Sequence, residues 1–195
     1  DIFSEKKILI TGCTSGIGKE VAILLSSLGC SLLLVGRNKL KLDQLLSNLS
    51  FPNRHSQLVV DLSLPSALFD HKSDILQHGP LDGIFHAAGV ALVKPTKLIS
   101  ADDINTVLSP SIYASLDISR LACSNKIISP SSSIVFMSSV SSILGTSCMS
   151  LYSASKGAID SLARSLAIEL APRKIRVNTI VSGAVETPMH ANLSS

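Results

Sequence analysis

The sequence is poor in aromatic and charged residues, and this shortage limits the kinds of protein it can encode. Aromatic residues make up 4% of the 195 residues, and tryptophan is absent. Charged residues make up 16% and hydrophobic residues 46%. Disordered chains need low hydrophobicity and high net charge, so this composition excludes them. We therefore predict one domain, spanning residues 1–195, with an aliphatic core.

Long apolar runs and targeting signals are also missing. No uninterrupted run approaches the roughly 20 apolar residues that a membrane-spanning helix needs, and the first residues, DIFSEKK, lack the plan of a secretory signal. The net charge of +3 comes from interspersed charges without a basic stripe, which argues against a nucleic-acid surface. We expect a cytoplasmic protein with neither nucleic acid nor membrane as a partner.

The four cysteines show no spacing typical of a metal or redox site. Unclustered thiols fit a reducing compartment, where each would serve as a small buried hydrophobe. The sequence predicts no metal centre. The cysteines are Cys13, Cys30, Cys123 and Cys148.

Short aliphatic runs alternate with longer segments of helical period. Runs that are apolar throughout and joined by helices indicate parallel strands buried on both faces. The pattern predicts a doubly wound parallel sheet, the three-layer αβα Rossmann architecture, with at least six strands. In the first helix, the period places one apolar face inward, formed by Ile17, Val21, Leu24, Leu25 and Leu28. Strands are predicted at 8–10, 32–35, 58–60, 84–85, 134–137 and 176–181, and helices at 16–28, 42–49, 65–77, 101–126 and 152–171.

A glycine-rich segment, Thr-Gly-Cys-Thr-Ser-Gly-Ile-Gly at 11–18, follows the first predicted strand. Glycines let the backbone approach a pyrophosphate and let the helix pack on the strand. The helix N-terminus adds free N–H groups and a positive dipole end. An ordinary tight turn between strand and helix is the alternative. The candidate phosphate-binding residues are Gly12, Thr14, Ser15, Gly16, Ile17 and Gly18.

A tyrosine and a lysine lie four residues apart on one face of a predicted helix, at Tyr152 and Lys156. A free tyrosine has a pKa of about 10. A nearby ammonium lowers that pKa, so Tyr152 could exchange a proton with a carbonyl or alcohol oxygen. A surface pair is the alternative. Hydroxyls at the end of the fifth strand, Ser138 to Ser141, would face the same crevice and could hydrogen-bond the reacting oxygen.

Several ordered motifs together resemble the short-chain dehydrogenase/reductase family. They are TGxxxGIG at 11–18, the Ser139-x12-Tyr152-x3-Lys156 spacing, and the segments IRVN at 175–178 and GAVETPM at 183–189. The resemblance selects Ser139 as the catalytic hydroxyl. It implies hydride transfer between a nicotinamide cofactor and a carbonyl or secondary alcohol, as in 3-oxoacyl-thioester reductases or general carbonyl reductases. It also implies a homodimer or homotetramer.

The end of the second strand indicates which nicotinamide cofactor is preferred. An acidic residue there would bond the adenosine ribose and repel a 2′-phosphate, but the sequence reads Gly36-Arg37-Asn38-Lys39. An arginine fork suits a phosphate, and Ser15 could add a hydroxyl donor. We therefore expect NADP(H) in preference to NAD(H), with Arg37 and Asn38 at the site. A solvated loop is the alternative for Arg37 and Lys39.

The resemblance also implies further cofactor contacts. Asp61, with Leu62, would lie near the adenine, although Asp61 could instead be a helix N-cap, for which Ser63 is another candidate. His86 replaces the first asparagine of the family's NAG-type motif. We expect it to stabilise the end of the fourth predicted strand rather than to carry out acid–base chemistry. The remaining expected cofactor-binding residues are Ala87, Ala88, Gly89, Gly183, Val185 and Thr187, together with Tyr152 and Lys156.

Three positions depart from the family pattern. Ser111, preceded by Pro110, takes the place of an asparagine whose backbone carbonyl holds a proton-relay water. We hypothesise that Pro110 opens the helix and that Ser111 binds this water as a fourth catalytic residue. Ser182 replaces a proline. The sequence ends at Ser195, without the family's seventh strand and substrate-covering segment, so we expect a longer native protein or an oligomer contact over the sixth strand.

These departures keep a second function open. A catalytically weak NADP(H)-binding scaffold or sensor would retain the fold and lose the chemistry, because a fold does not guarantee a reaction.

Overall fold

A computed structural model of the chain describes residues 3–191, so the chain end at Ser195 lies outside the described residues. Within this range the predicted six strands are present. They are β1 (Lys7–Thr11), β2 (Ser31–Gly36), β3 (Ser56–Val59), β4 (Leu81–His86), β5 (Ile128–Ser139) and β6 (Arg176–Ser182).

Helices follow the strands as the sequence predicts, with short additional turns between them. The helices are α1 (Gly16–Ser27), α2 (Lys39–Ser47), α3 (Ala67–Asp70), α4 (Lys72–Gln77), α5 (Ala101–Leu108), α6 (Ala114–Ala122), α7 (Ser150–Leu170) and α8 (Pro188–Ala191). A π-helical turn, Ser109–Tyr113, joins α5 to α6.

All strand pairings in the sheet are parallel, in the order β3-β2-β1-β4-β5-β6. Ile10 of β1 lies opposite Leu34 of β2 and Phe85 of β4. The chain moves outward from β1 to one edge and then returns past it to the other. This reversal confirms the predicted doubly wound sheet, and it opens a crevice at the carboxyl ends of β1 and β4.

Alternate residues of the inner strands β1, β2, β4 and β5 enter two separate cores on opposite faces of the sheet. Leu9 of β1 belongs to the core that α6 and α7 cover, whereas its neighbour Ile10 belongs to the core beneath α1 and α2. Both side chains are completely buried. This alternation, set by the two-residue period of a strand, produces the predicted three αβα layers.

The prediction of one continuous helix over 65–77 is wrong, because two helices, α3 and α4, occupy this segment. The amide groups of Leu68 and Phe69 at the start of α3 donate to the carboxylate of Asp117, at 3.1 and 3.3 Å. Asp117 lies on α6 and is 3% exposed. A side chain from a distant helix thus caps α3, which sequence periodicity could not indicate.

The helix predicted over 101–126 is correct as far as residue 122 and is interrupted as expected at Pro110. Proline has no N–H, so the ladder of hydrogen bonds widens there into the π-helical turn. The helix ends early because Ile127, at the end of a turn, and Ile128, the first residue of β5, enter the core and are both at most 3% exposed.

None of the described helices is long and apolar enough to cross a membrane. Within the described residues, no three His, Cys, Asp or Glu side chains group as a metal site.

Candidate active site

The glycine-rich loop joins the end of β1 to the start of α1, as predicted. Gly12 and Gly16 have φ angles of +65° and +50°, a conformation that favours glycine. A Cβ atom on Gly12 would lie 2.6 Å from the backbone of Ala87, and one on Gly18 would collide with the carbonyl oxygen of Gly12. The loop therefore lies directly against the residues that follow β4, and α1 lies directly against the loop.

The N-terminus of α1 carries no acidic residue in its first turn, and the side chain of its N-cap, Ser15, makes no capping hydrogen bond. The positive end of the helix is thus uncompensated, which suits a bound anion.

The loop opens into a cleft of about 470 Å³ that also receives the ends of β4, β5 and β6. The structure brings fifteen of the predicted site residues together there, although contact with a cofactor stays a prediction for each. Those lining the cleft are Gly12, Thr14, Ser15, Gly16, Ile17, Gly18, Ala87, Ala88, Gly89, Ser139, Tyr152, Lys156, Gly183, Val185 and Thr187.

Ser139 is the last residue of β5 and is 7% exposed. Its Oγ accepts a hydrogen bond from the backbone N–H of Ser141 at 3.2 Å. That bond fixes the position of the hydroxyl oxygen and leaves its proton available for donation to an oxygen in the cleft.

Tyr152 lies in the first turn of α7, half-buried beside Ser139. The expectation that its pKa is lowered is wrong for the protein alone. Burial raises the pKa of Tyr152, and a hydrogen bond with Ser139 opposes that rise without cancelling it. The lysine ammonium lies 5.7 Å from the tyrosine ring centroid and is directed elsewhere.

Lys156 is 5% exposed, and its Nζ donates to the carbonyl oxygen of Met137 at 2.8 Å. Burial lowers the pKa of Lys156 to about 8, and the charge of Asp160 partly opposes this shift. The bond to β5 holds the ammonium at the floor of the cleft, close to Gly89: a Cβ atom on Gly89 would lie 3.4 Å from Nζ.

Ser111 does not line the cleft but lies directly behind it. Its Oγ is buried without a hydrogen-bond partner and, like Lys156 Nζ, would lie 3.4 Å from a Cβ on Gly89. Its backbone carbonyl already accepts the Ser115 hydroxyl at 2.6 Å. The polar atom of Ser111 that has no partner near Lys156 is therefore its hydroxyl, and binding of a relay water by Ser111 stays a prediction.

His86 has a structural environment, in line with the role expected at the strand end. Its Nδ1 is 2.7 Å from Thr11 Oγ1, which also accepts the N–H of Ala88. Burial, reinforced by the charge of Lys156, lowers the pKa of His86 to about 3. The imidazole is therefore neutral near pH 7 and unsuited to proton transfer there.

Four predicted cofactor residues lie outside the cleft. Arg37 is exposed just beyond β2, without a hydrogen bond or ion pair to any described residue, whereas Lys39 pairs with Asp43 at 2.9 Å. Asn38 caps α2 by accepting the N–H of Lys41. The remaining two, Asp61 and Leu62, follow β3.

Asp61 and Leu62 both have roles within the protein. The carboxylate of Asp61 accepts the backbone N–H and the hydroxyl of Ser63, at 3.0 and 2.7 Å. These bonds, the backbone one first, lower the pKa of Asp61. Leu62 is 7% exposed and belongs to the core.

Several residues of the cleft are outside the predicted set of site residues. Ser138 was expected to face the crevice but was set aside in favour of Ser139, and Val140 follows Ser139 directly. Ala91, Val93 and Met149 lie in irregular segments, where an apolar side chain has no period to mark it. The cleft residues outside the predicted set are Ala91, Val93, Met137, Ser138, Val140, Met149, Ser182, Ala184, Pro188 and Met189.

Comparison with known proteins agrees with this geometry. The family model described as short chain dehydrogenase matches residues 6–195. An uncharacterized oxidoreductase of Staphylococcus epidermidis is 30% identical over 186 residues, which cover 95% of this chain and 80% of that protein. A tropinone reductase homolog of Arabidopsis thaliana is 32% identical, over 96% of this chain and 72% of its own.

Solved structures extend the similarity to three dimensions. A short chain dehydrogenase from Shigella flexneri, complexed with NADP, has a TM-score of 0.85 and 28% identity. One from Escherichia coli, complexed with NADPH, has a TM-score of 0.84 and 28% identity. Both alignments cover 97% of this chain and 81% of the other. Since sequence and fold agree over nearly the whole chain, it belongs to the short-chain dehydrogenase/reductase family and is an oxidoreductase.

Proposed function

We propose that the protein is an NADP(H)-dependent oxidoreductase that interconverts a carbonyl compound and a secondary alcohol. The observation that carries this proposal is the meeting, in one cleft, of an anion-binding helix end and loop with Ser139, Tyr152 and Lys156.

The residues present fit a nicotinamide dinucleotide. The cradle at Gly12 and Gly18 has no space for a Cβ atom, and the uncompensated N-terminus of α1 points at the same loop. These residues would hold the pyrophosphate, and Lys156 would hold the ribose hydroxyls. When bound, the cofactor supplies or accepts the hydride.

The protein's own residues handle the oxygen and the proton. In the direction of reduction, Tyr152 donates its proton to the carbonyl oxygen, and Ser139 hydrogen-bonds the same oxygen as negative charge develops on it. The N-terminal end of α7, close to Tyr152, favours the phenolate that remains. Lys156 adds positive charge near Tyr152 and can return a proton to it. Ser111 Oγ, which lies behind the cleft near Lys156 Nζ, would take part in this proton return.

A test of the catalytic assignment uses the chain's two tyrosines. NADPH consumption is followed at saturating cofactor with a panel of ketones and aldehydes. We expect turnover in the natural protein, its loss in Tyr152→Phe, and full retention in Tyr113→Phe, a matched change at a half-exposed tyrosine outside the cleft. Equal rates in both variants would remove Tyr152 from the mechanism.

The preference for NADP(H) rests on Arg37. Its guanidinium, at the end of β2, makes no hydrogen bond or ion pair with a described residue, although its charge helps to lower the pKa of Asp61. No acidic residue lies beside it in the sequence to repel a 2′-phosphate. We expect Arg37→Asp to weaken NADPH binding by more than about tenfold while changing NADH binding much less. Lys41→Asp, the same charge change on α2, is the control, and equal losses for both dinucleotides in Arg37→Asp would remove the assignment.

A second candidate function is a catalytically weak NADP(H)-binding scaffold or sensor, which Ser111 at the usual asparagine position favours. The two proposals separate in one experiment. Tight NADPH binding without turnover of any carbonyl compound supports the sensor, whereas turnover that depends on Tyr152 supports the enzyme.

The remaining proposals concern the whole protein. We propose a single dinucleotide-binding domain that acts in the cytoplasm as a homodimer or homotetramer. β6 is the edge strand among the described residues and exposes Ile180 and Val181, at 48% and 40%. A neighbouring subunit or a further strand of a longer chain would cover this edge. Light scattering coupled to gel filtration would give the subunit count, and a monomer would overturn this part.

A further inference from the structure

The start of α7, which carries Tyr152, is weakly held by its own sequence. Among the described residues, the side chain of its N-cap residue, Met149, makes no capping hydrogen bond, and no acidic residue lies in the first turn. The preceding residue, Cys148, has a φ angle of +64°, a left-handed conformation that costs free energy outside glycine. A helix end of this kind frays unless neighbouring segments hold it.

The segment that follows β4 supplies the support that α7 lacks. The backbone N–H of Lys94 donates to the carbonyl oxygen of Cys148 at 2.7 Å. The hydroxyls of Thr96 and of Ser150, the first residue of α7, are 2.8 Å apart. Both bonds reach the residues at which the helix begins, so the start of α7 is fixed from outside the helix.

The side chain of Lys94 fastens the same segment to a second helix. Its Nζ is 2.6 Å from the carboxylate of Asp103 in α5, in a partly buried ion pair. The same carboxylate oxygen accepts the backbone N–H and the hydroxyl of Ser100, at 2.7 and 2.8 Å, in a capping box at the start of α5. These bonds, that with Lys94 first, lower the pKa of Asp103 to about 2, so the carboxylate is charged at neutral pH. Lys94 therefore joins the start of α7, through its main chain, to the start of α5, through its side chain.

The alignment of Tyr152 with Ser139 depends on where α7 begins. Ser139 is fixed on β5 by the N–H of Ser141, whereas Tyr152 lies in the first turn of α7 and moves with it. Lys156, one turn further along, has an anchor of its own in the carbonyl oxygen of Met137. A shift at the start of α7 would therefore displace the tyrosine hydroxyl and leave the lysine in place.

We propose that Lys94 is a positioning residue, which aligns the Tyr152 hydroxyl with Ser139 by holding the start of α7 to α5. This inference rests on the proposed function. Lys94 is not among the described residues that line the cleft, so it acts through the helix rather than on a substrate or cofactor.

The kinetic test compares Lys94→Met with Lys97→Met, a matched change at an exposed lysine of the same segment. Turnover of the panel of ketones and aldehydes is measured at saturating NADPH. We expect Lys94→Met to lower kcat by about five- to tenfold without changing the Kd for NADPH, because the proton donor is misplaced and Lys156 is not. Lys94→Arg should restore most of the rate, since arginine can keep the ion pair, and Lys97→Met should leave kcat unchanged. An unchanged kcat in Lys94→Met, or a loss of NADPH affinity equal to the loss of kcat, would overturn the inference.

A double-mutant cycle assigns the effect to the ion pair itself. Asp103→Asn keeps an oxygen for the capping box and removes the charge that Lys94 meets. It should slow turnover in the same way, and the variant that combines Lys94→Met with Asp103→Asn should be no slower than Lys94→Met, because both changes remove one interaction. Losses that multiply in the combined variant would count against the pair.

A measurement without turnover separates this inference from the proposed function. The sequence has two tyrosines and no tryptophan, so in Tyr113→Phe the protein's fluorescence comes from Tyr152 alone. Acrylamide quenching of this emission reports how exposed the Tyr152 ring is. In that background we expect Lys94→Met to raise the quenching constant by about twofold through local opening of the helix start, with little change in the melting temperature, and Lys97→Met to leave it unchanged.

The two proposals fail in different ways. Quenching that is the same in Lys94→Met and Lys97→Met overturns the role of Lys94, whatever the enzyme turns over. Absence of turnover of any ketone or aldehyde by the natural protein, with NADPH bound, overturns the proposed function.

Discussion

At the scale of single residues, the cleft depends on a few buried polar groups whose environment differs from what their sequence suggests. Burial raises the pKa of Tyr152 and lowers that of Lys156 to about 8. The pKa of Lys156 thus lies close to neutral pH. The two shifts have the same origin, desolvation, which acts against the charged form of each group.

Ser111 provides the first prediction. Replacing it by alanine should slow turnover about tenfold, as expected for loss of a proton-transfer partner, without lowering the melting temperature, because its Oγ has no partner to lose. Steady-state kinetics and thermal unfolding would be measured together. Ser142→Ala, which also removes a buried unpartnered hydroxyl, is the control, and unchanged turnover in Ser111→Ala would exclude Ser111 from the relay.

His86 links pH to stability. Its folded pKa of about 3 lies below the ordinary value of 6.5, so as pH falls below 6.5 the unfolded chain takes up a proton that the folded protein does not. The free energy of unfolding should therefore fall by about 2 kcal/mol more in the natural protein than in His86→Asn between about pH 7 and about pH 5. Urea unfolding at both pH values measures this, and parallel losses would contradict it.

At the scale of elements, the positions of helices and strands follow the sequence more closely than their faces and joints do. The short aliphatic runs predicted all six strands because strands buried on both faces are apolar throughout. The inner face of α1 was predicted in part. Ile17, Val21 and Leu25 pack partly buried against the core, but Leu24 is 57% exposed. The fully buried residues of α1 are small, Gly18, Ala22 and Ser26, and Gly18 must be small because α1 lies against the glycine-rich loop there.

Of the described glycines, Gly12 and Gly18 in the joint between β1 and α1 have the least space for a side chain. Gly12→Ala should destabilise the protein by about 2–4 kcal/mol, since its Cβ would meet backbone rather than a movable side chain. Gly145→Ala, where nothing lies within 4 Å of the new atom, should change stability by less than about 0.5 kcal/mol. Chemical denaturation of both variants tests this, and similar values for the two would show that the loop can relax.

Asp117 joins α6 to α3. Its removal in Asp117→Ala leaves the N–H groups of Leu68 and Phe69 without an acceptor and should cost about 2–3 kcal/mol. Asp102→Ala, at an exposed aspartate in the first turn of α5, should cost about 1 kcal/mol or less. The difference in urea midpoint gives the comparison, and equal costs would mean that the cap contributes nothing.

At the scale of the whole molecule, residues far apart in the sequence meet because the sheet reverses its winding at β1 and β4. The meeting of Ser139, Tyr152 and Lys156 in one cleft could be predicted because their side chains carry chemistry and their spacing resembles that of the family. The presence of Val93 and Met149 there could not, since both lie in irregular segments that are held together by hydrogen bonds such as that from the Lys94 N–H to the Cys148 carbonyl oxygen. The direction of the pKa shift of Tyr152 could not be predicted either, because the burial of its side chain depends on the assembled cleft.

The most direct test of the account follows a labelled hydrogen. The natural protein is incubated with NADPH deuterated at the transferable position of the nicotinamide C4 and with each member of the panel of ketones and aldehydes, and the products are analysed by mass spectrometry and NMR. We predict deuterium on the carbinol carbon of the alcohol, and no labelled alcohol with Tyr152→Phe. Bound NADPH whose label never reaches the product would contradict the central claim that this cleft transfers hydride.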